Sequence, residues 1–158
     1  MLASGMAKGI EPGDRAPVFA LPSQDGSTVA LDDLLKKGPV VVFFYPKDET
    51  MGCTAEACAF RDSYDVFQEA GATVVGISSD DTKSHRRFAD KHGFPFLLLS
   101  DTDGAVRRSF GVPKTLGLLP GRSTYVIDPK GVVRHVFHSQ LQAKQHVNEA
   151  LSAVRGMH

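Results

Sequence analysis

The chain of 158 residues contains no tryptophan and two cysteines, Cys53 and Cys58. Two thiols can form one disulfide, which excludes a secreted scaffold stapled by several bridges. Charge of one sign is also missing, since eighteen basic residues balance eighteen acidic ones. The longest basic clusters are pairs such as Arg86-Arg87 and Arg107-Arg108. No electrostatic surface for nucleic acid or for a membrane is therefore expected. No run approaches the ~18 apolar residues of a membrane span, and Met1 to Pro12 lack the apolar centre of a secretory signal. Repeats, low-complexity tracts and linkers are absent as well. The chain reads as a single domain over 1–158, with 1–12 as a flexible lead-in. A cytoplasmic location is the default, and a mature plastid form is the alternative.

What is present reads as α/β. Residues 18–21 and 27–31 flank the Ser23-Gln24-Asp25-Gly26 turn signal and predict a small hairpin. Residues 39–45 form an unbroken apolar run, as in a central strand buried on both faces. A helix over 53–69 is expected next, with Ala57, Phe60, Tyr64 and Phe67 as its buried stripe and Gly71 as its stop. A strand at 73–78 leads to Ser79-Asp80-Asp81, which can cap a helix over 82–92. Then come a strand at 96–99, a short helix near 104–109 and a Gly/Pro-rich segment. Strands at 123–127 and 132–137 pair across Asp128-Pro129-Lys130-Gly131, and a helix over 143–154 closes the chain. This order gives a three-layer fold, with helices flanking a mixed sheet.

The chemistry concentrates around Cys53. The apolar run ends at Pro46, a polar loop follows, and helix-favouring residues begin after Cys53. A thiol in the first turn of a helix faces unpaired backbone N–H groups and the positive end of the dipole. Ionisation is thereby favoured over that of a free thiol, whose pKa is roughly 8.5. Cys58 follows five residues later, and the two suggest a redox pair.

The string Tyr45-Pro46-Lys47-Asp48-Glu49-Thr50-Met51-Gly52-Cys53-Thr54, with Glu56, Phe60, Arg61 and Asp62, resembles the active-site signature of the peroxiredoxins. It is similar to the peroxiredoxin Q group, also called bacterioferritin comigratory protein. Gly13-Asp14-Arg15-Ala16-Pro17 and Leu119-Pro120-Gly121-Arg122-Ser123-Thr124-Tyr125-Val126-Ile127-Asp128 extend the likeness over nearly the whole chain. Met51 departs from the pattern, standing where the family often has proline.

The resemblance implies a thioredoxin-like fold with an added N-terminal β-hairpin. It implies a thiol-dependent peroxidase that reduces hydrogen peroxide and organic hydroperoxides. Cys53 then matches the peroxidatic nucleophile, and Thr50 the hydroxyl that bonds the thiolate and the peroxide. Pro46 matches the residue shielding the sulfenic acid, and Arg122 the guanidinium beside the thiolate. Cys58 matches the resolving cysteine, and thioredoxin or a similar dithiol the reductant. The group also points to a monomer. The residue types suit the reaction: displacement at an O–O bond needs a thiolate and donors for the leaving oxygen. Its product, Cys–SOH, is trapped by a nearby thiol. No metal, flavin or haem cofactor is required.

Along an ideal helix a five-residue separation means about 7.5 Å of rise and about 140° of rotation. The Cα atoms then lie roughly 8.7 Å apart, beyond the ~7 Å that a disulfide spans. Resolution by Cys58 is thus expected to require unwinding of the first helical turns.

Simpler readings stand beside these. A buried cysteine can serve as a small hydrophobe, and Ala57 and Ala59 allow that role for Cys58. Thr50 alone could be a cap, Pro46 a strand terminator and Arg122 a surface residue of a loop. Glu56 and Arg61 read as helix-surface or ion-pair residues, and His85 and His92 as members of a solvated helix face. No two histidines have zinc-ligand spacing alongside the cysteines. Asp101-x-Asp103-Gly104 reads as an ordinary turn rather than a calcium loop. A thiol–disulfide oxidoreductase would normally use Cys-x-x-Cys; a peroxide sensor or chaperone-like protein with weak turnover is the non-enzymatic alternative.

Overall fold

The sheet is built outward from β3 (Val40–Phe44), whose five side chains are all fully buried. Burial of each such side chain contributes about 1.5–3 kcal/mol. In the computed structural model, which describes residues 9–114, 121–140 and 142–157, β3 pairs in parallel with β4 (Thr73–Ser78) and antiparallel with β6 (Ser123–Ile127). Parallel β5 (Leu97–Ser100) and antiparallel β7 (Val133–His138) complete the order β5-β4-β3-β6-β7.

Alternation along β3 divides the core into two layers. Val41, Phe43 and Tyr45 face a cluster with Phe60, Phe67, Phe88 and Val147. Those residues lie on or beside α2 (Met51–Asp62), α3 (Tyr64–Glu69), α4 (Thr82–His92) and α6 (Ala143–Arg155). Val40, Val42 and Phe44 face Leu31, Leu34, Leu35 and Phe110 on the other side. Here lie α1 (Leu31–Leu35), α5 (Ala105–Phe110) and the hairpin of β1 (Ala20–Pro22) and β2 (Thr28–Ala30). The hairpin covers the β5 edge: Gln24 accepts from the Leu98 amide at 2.8 Å and donates to the Phe96 carbonyl at 3.2 Å. An edge so covered cannot template pairing with another chain.

The expected elements form with most ends shifted by a residue or two, the strand expected at 18–21 spanning Ala20–Pro22, and three differences have a clear physical reason. The strand expected through residue 31 ends at Ala30, and α1 begins at once, its leucines turned into the core. The helix expected over 53–69 starts two residues earlier, because extended Thr50 serves as its N-cap. It also breaks at Ser63 (φ −104°, ψ 8°), and the bend lets Phe60 and Phe67 bury together with ring centroids 5.8 Å apart. Residues 1–8 of the expected flexible lead-in lie outside the described residues. At Ile10 the amide already donates to the Phe110 carbonyl at 3.0 Å. The Gly/Pro-rich segment, including Leu119 and Pro120, falls largely outside them as well.

Candidate active site

Two chain segments meet at one end of β3. The β3–β6 register pairs Phe44 with Ser123, so Tyr45-Pro46 and Gly121-Arg122 leave the sheet side by side. Arg107 bridges them, donating to the Tyr45 carbonyl at 2.7 Å and to the Gly121 carbonyl at 2.8 Å. Its guanidinium also lies 5.8 Å from the centre of the Phe44 ring. Gly121 is required by space, since a Cβ there would lie 1.8 Å from the Pro113 carbonyl oxygen. In sequence Arg107 gave no sign of this role beyond being one of a basic pair.

From Pro46, which is half-buried, the chain turns through a loop held from below. Asp48 is buried; it accepts from the Tyr45 hydroxyl at 2.6 Å and the Ser84 hydroxyl at 2.8 Å, and lies 2.7 Å from His85 Nδ1. His85 Nε2 faces the Leu99 carbonyl at 3.0 Å. The expectation of a solvated His85 is therefore corrected: the ring is fully buried and joins the loop to α4 and β5. Burial and the neighbouring Asp48 hold the Tyr45 hydroxyl well above its ordinary pKa. With Asp48 fixed, Glu49 adopts φ 63°, an uncommon left-handed conformation for a residue other than glycine. Asp80, which accepts from the Asp48 amide at 2.8 Å, completes a group with ligand atoms within 4.8 Å of one another. Each member is engaged in these internal bonds, so the cluster reads as the loop's anchor.

Cys53 is the third residue of α2 and is 1% exposed. The first intrahelical bond runs from the Thr54 amide to the Thr50 carbonyl at 2.8 Å. The amides of Met51, Gly52 and Cys53 precede it, in the turn where a helix favours negative charge. The Thr50 side chain donates to the Lys47 carbonyl at 3.0 Å, so in this arrangement the hydroxyl is turned to its own loop rather than to the thiol. Met51 is 90% exposed.

Arg122 is buried beside the thiol. A Cβ on Gly52 would lie 3.0 Å from Arg122 Nη2, so glycine lets the guanidinium approach the start of the helix. Arg122 Nη1 donates to Glu56 Oε1 at 2.8 Å, and Nε to the Gln140 carbonyl at 3.2 Å. Burial disfavours its charge, but Glu56 and Cys53 together hold its pKa above the usual value.

Glu56, expected on the surface or in an ion pair, is in an ion pair but fully buried. Burial pushes its pKa up to about 7, and the Arg122 charge restrains the rise. Its Oε2 has no hydrogen-bond partner among the described residues, although His146 Nδ1 is 3.4 Å away. That contact is not a charged bridge. His146 Nε2 is 2.7 Å from the Ser139 carbonyl, so the ring's proton belongs on Nε2. Nδ1 then accepts from the Thr124 hydroxyl at 2.8 Å and has nothing to donate.

Cys58 lies half-buried on the same intact helix, and both cysteines are free thiols. Its sulfur is 3.9 Å from His92 Nδ1. His92 is half-buried, not solvated as expected, and Arg61 donates to its carbonyl at 2.7 Å. The Asp101-x-Asp103-Gly104 stretch is the expected turn: Asp101 accepts from the Val106 and Arg107 amides at 3.1 and 2.9 Å and so fixes the start of α5.

The arrangement places a thiol at a helix start beside a braced guanidinium, which is suited to a thiolate nucleophile. Known proteins resemble the chain as a whole. The AhpC/TSA family profile matches residues 12–136. Peroxiredoxin Q, chloroplastic, of Triticum aestivum is 50% identical over 149 residues, covering 94% of this chain and 68% of that protein. The Suaeda salsa protein of the same name is 51% identical over 156 residues, 98% of this chain and 72% of its own length. Among solved structures, peroxidoxin BcpB of Mycobacterium tuberculosis superposes with a TM-score of 0.88 at 42% identity, covering 94% of this chain and 99% of that one. The Xanthomonas campestris bacterioferritin comigratory protein, studied for alkyl peroxide reduction, gives 0.79 at 33% identity, with 88% and 91% covered. With its thioredoxin-like order of elements, its N-terminal hairpin and these relatives, the chain belongs to the AhpC/TSA family, in the peroxiredoxin Q group, and is a thiol peroxidase.

Proposed function

We propose that Cys53 attacks hydrogen peroxide and alkyl hydroperoxides, and that Cys58 then resolves the resulting sulfenic acid as an intramolecular disulfide. The observation that carries this reading is the buried Cys53 in the first turn of α2, beside an Arg122 braced by Glu56 at 2.8 Å. The helix start and the guanidinium set positive charge beside the sulfur. Arg122, the Cys53 amide and the Thr50 hydroxyl, once released from Lys47, are donors for the peroxide oxygens. Pro46 shields the sulfenic acid. Thioredoxin or a similar dithiol returns the disulfide to two thiols, and the protein works as a monomeric, single folded unit. The plant relatives are chloroplastic by name, which favours the plastid alternative over the cytoplasmic default.

The test is peroxide consumption with a thioredoxin system, comparing wild type, Cys53→Ser and Cys58→Ser. Cys53→Ser is expected to be inactive. Cys58→Ser is expected to react once with peroxide and then stall. Normal turnover by Cys58→Ser would instead make Cys58 structural and assign resolution to an external thiol.

A further inference from the structure

Cys58 has to lose a proton before it can attack, and it is too far along α2 to share the helix-start environment of Cys53. The base it needs lies on a different helix. His92 is the last residue of α4, and its Nδ1 is 3.9 Å from Cys58 Sγ. We propose that His92 is the general base of the resolving step, accepting the Cys58 proton while α2 is still intact. This rests on Cys58 being the resolving thiol.

Several contacts fix the ring for that task. It stacks on Phe94 with centroids 5.4 Å apart and an interplanar angle of 19°, and meets Phe88 edge-on at 5.4 Å. Arg61, three residues beyond Cys58 on α2, donates to the His92 carbonyl at 2.7 Å and so ties the two helices together at this point. The ring lies at the carbonyl end of α4, ahead of left-handed Gly93. The neighbouring charges are largely engaged. Arg61, the one cation from α2, is paired with Asp62 at 3.0 Å; Lys91 reaches away to Glu49 in the active-site loop at 3.2 Å.

The step balances without a further reagent. Nδ1 takes the proton as the Cys58 S–H bond breaks, leaving a thiolate. Unwinding of α2 then carries the thiolate to Cys53, which the peroxide has already oxidised to the sulfenic acid. The Cys58 sulfur gives its electron pair to the Cys53 sulfur, an S–S bond forms and the Cys53 S–O bond breaks. The departing hydroxide is protonated, and the imidazolium returns its proton to solvent, so the sum is one disulfide and one water. Transfer before unwinding matters, because the thiolate is the nucleophilic form in disulfide formation.

The test separates the two chemical steps. Reduced protein is mixed with one equivalent of hydrogen peroxide across about pH 5 to 9, a range that spans imidazole titration. Samples are quenched with acid at intervals, and mass spectrometry counts dimedone-trapped sulfenic acid and disulfide. In His92→Phe, which keeps a ring against Phe94, disulfide formation is expected to slow by about tenfold or more near neutrality. The acid limb contributed by the imidazole should disappear from its pH profile, while sulfenic acid forms at the wild-type rate. Added imidazole should restore the disulfide rate of His92→Ala. A wild-type rate and profile in His92→Phe would overturn the proposal. So would a slowing of both steps together without imidazole rescue, which marks a packing role. Cys58→Ser is the control on the underlying reading: if it still turns over normally with thioredoxin, the resolving role of Cys58 fails, whatever His92 does.

Discussion

The Arg122–Glu56 pair serves two ends, and substitution can separate them. In the proposed mechanism Arg122 supplies positive charge to the thiolate, while Glu56 holds the guanidinium at 2.8 Å and must itself be neutralised in the core. Arg122→Gln is expected to slow Cys53 oxidation by about a hundredfold, as when one charge-stabilising donor is removed. It should also cost about 1–3 kcal/mol of stability, short of the full penalty for a stranded buried charge because Glu56 can take up a proton. The double variant Arg122→Gln/Glu56→Gln should recover most of the stability and none of the rate. Competition kinetics with peroxide and urea unfolding followed by circular dichroism measure the two. Recovery of the rate in the double variant would show that Arg122 acts only as the partner of Glu56. At this scale the local string was legible for position: the polar loop and the helix-favouring residues after it place Cys53 in the first turn of a helix, where the structure has it. Burial of single polar residues was not legible. Glu56 lies on a helix whose stripe is marked by Phe60 and Ala57, and nothing local tells it from a solvated glutamate. His85 and Arg107 likewise have partners, Asp48 and the Tyr45 carbonyl, that are 37 and 62 residues away in sequence.

With Cys58 as the proposed resolving thiol, α2 is the element that carries the conformational demand. Both thiols are free on an intact helix from Met51 to Asp62, and five helical positions keep their Cα atoms beyond disulfide reach. If opening limits resolution, strengthening the first turns should slow it. Thr54 is half-buried and β-branched, and Thr54→Ala raises helix propensity by about 0.6 kcal/mol. Disulfide formation should then slow by about twofold to threefold, with sulfenic acid formation unaffected. Hydrogen exchange should show the amides of residues 51–58 protected in the dithiol and open in the disulfide, with β3 and β4 protected in both. An unchanged disulfide rate in a helix shown to be better protected would mean that chemistry rather than opening sets the pace. The strands were readable because β3 and β4 are uninterrupted apolar runs, which the buried middle of a sheet demands. The break at Ser63 was not, because the apolar spacing runs through it from Phe60 to Phe67 without interruption. The bend shows only in the tertiary packing, where Phe60 and Phe67 bury together with ring centroids 5.8 Å apart. For α1, a single leucine-rich turn after a three-residue strand has too few positions to show a period.

For the whole molecule, the cluster that joins α2, β6 and α6 ties stability to pH. Glu56 has its pKa raised by burial from 4.5 to about 7. The fold therefore favours its neutral form, and this contribution is complete below about 4.5 and lost as pH rises through about 7. His146 behaves oppositely. Burial lowers its pKa from 6.5 to about 4, so its contribution is complete above about 6.5 and lost as pH falls through about 4. Between about 4.5 and 6.5 the two slopes oppose one another, and above about 6.5 the Glu56 slope acts alone. No pH has both groups largely charged, consistent with the neutral 3.4 Å contact between them. Glu56→Gln isolates one side, since Gln cannot titrate. Relative to wild type, the variant should gain about 3 kcal/mol of stability between pH 4.5 and 7.5, a range that brackets the shifted pKa. Urea unfolding of both reduced proteins at several pH values, followed by circular dichroism because the chain has no tryptophan, gives the difference directly. A difference that stays flat across the range would mean that Glu56 remains ionised throughout, held by Arg122 as a lasting ion pair. The guanidinium would then be shared between two anions whenever Cys53 is a thiolate. A difference that grows with pH instead leaves Arg122 more fully to the thiolate at the acid end, so peroxide reactivity should decline less on acidification than thiol ionisation alone would require.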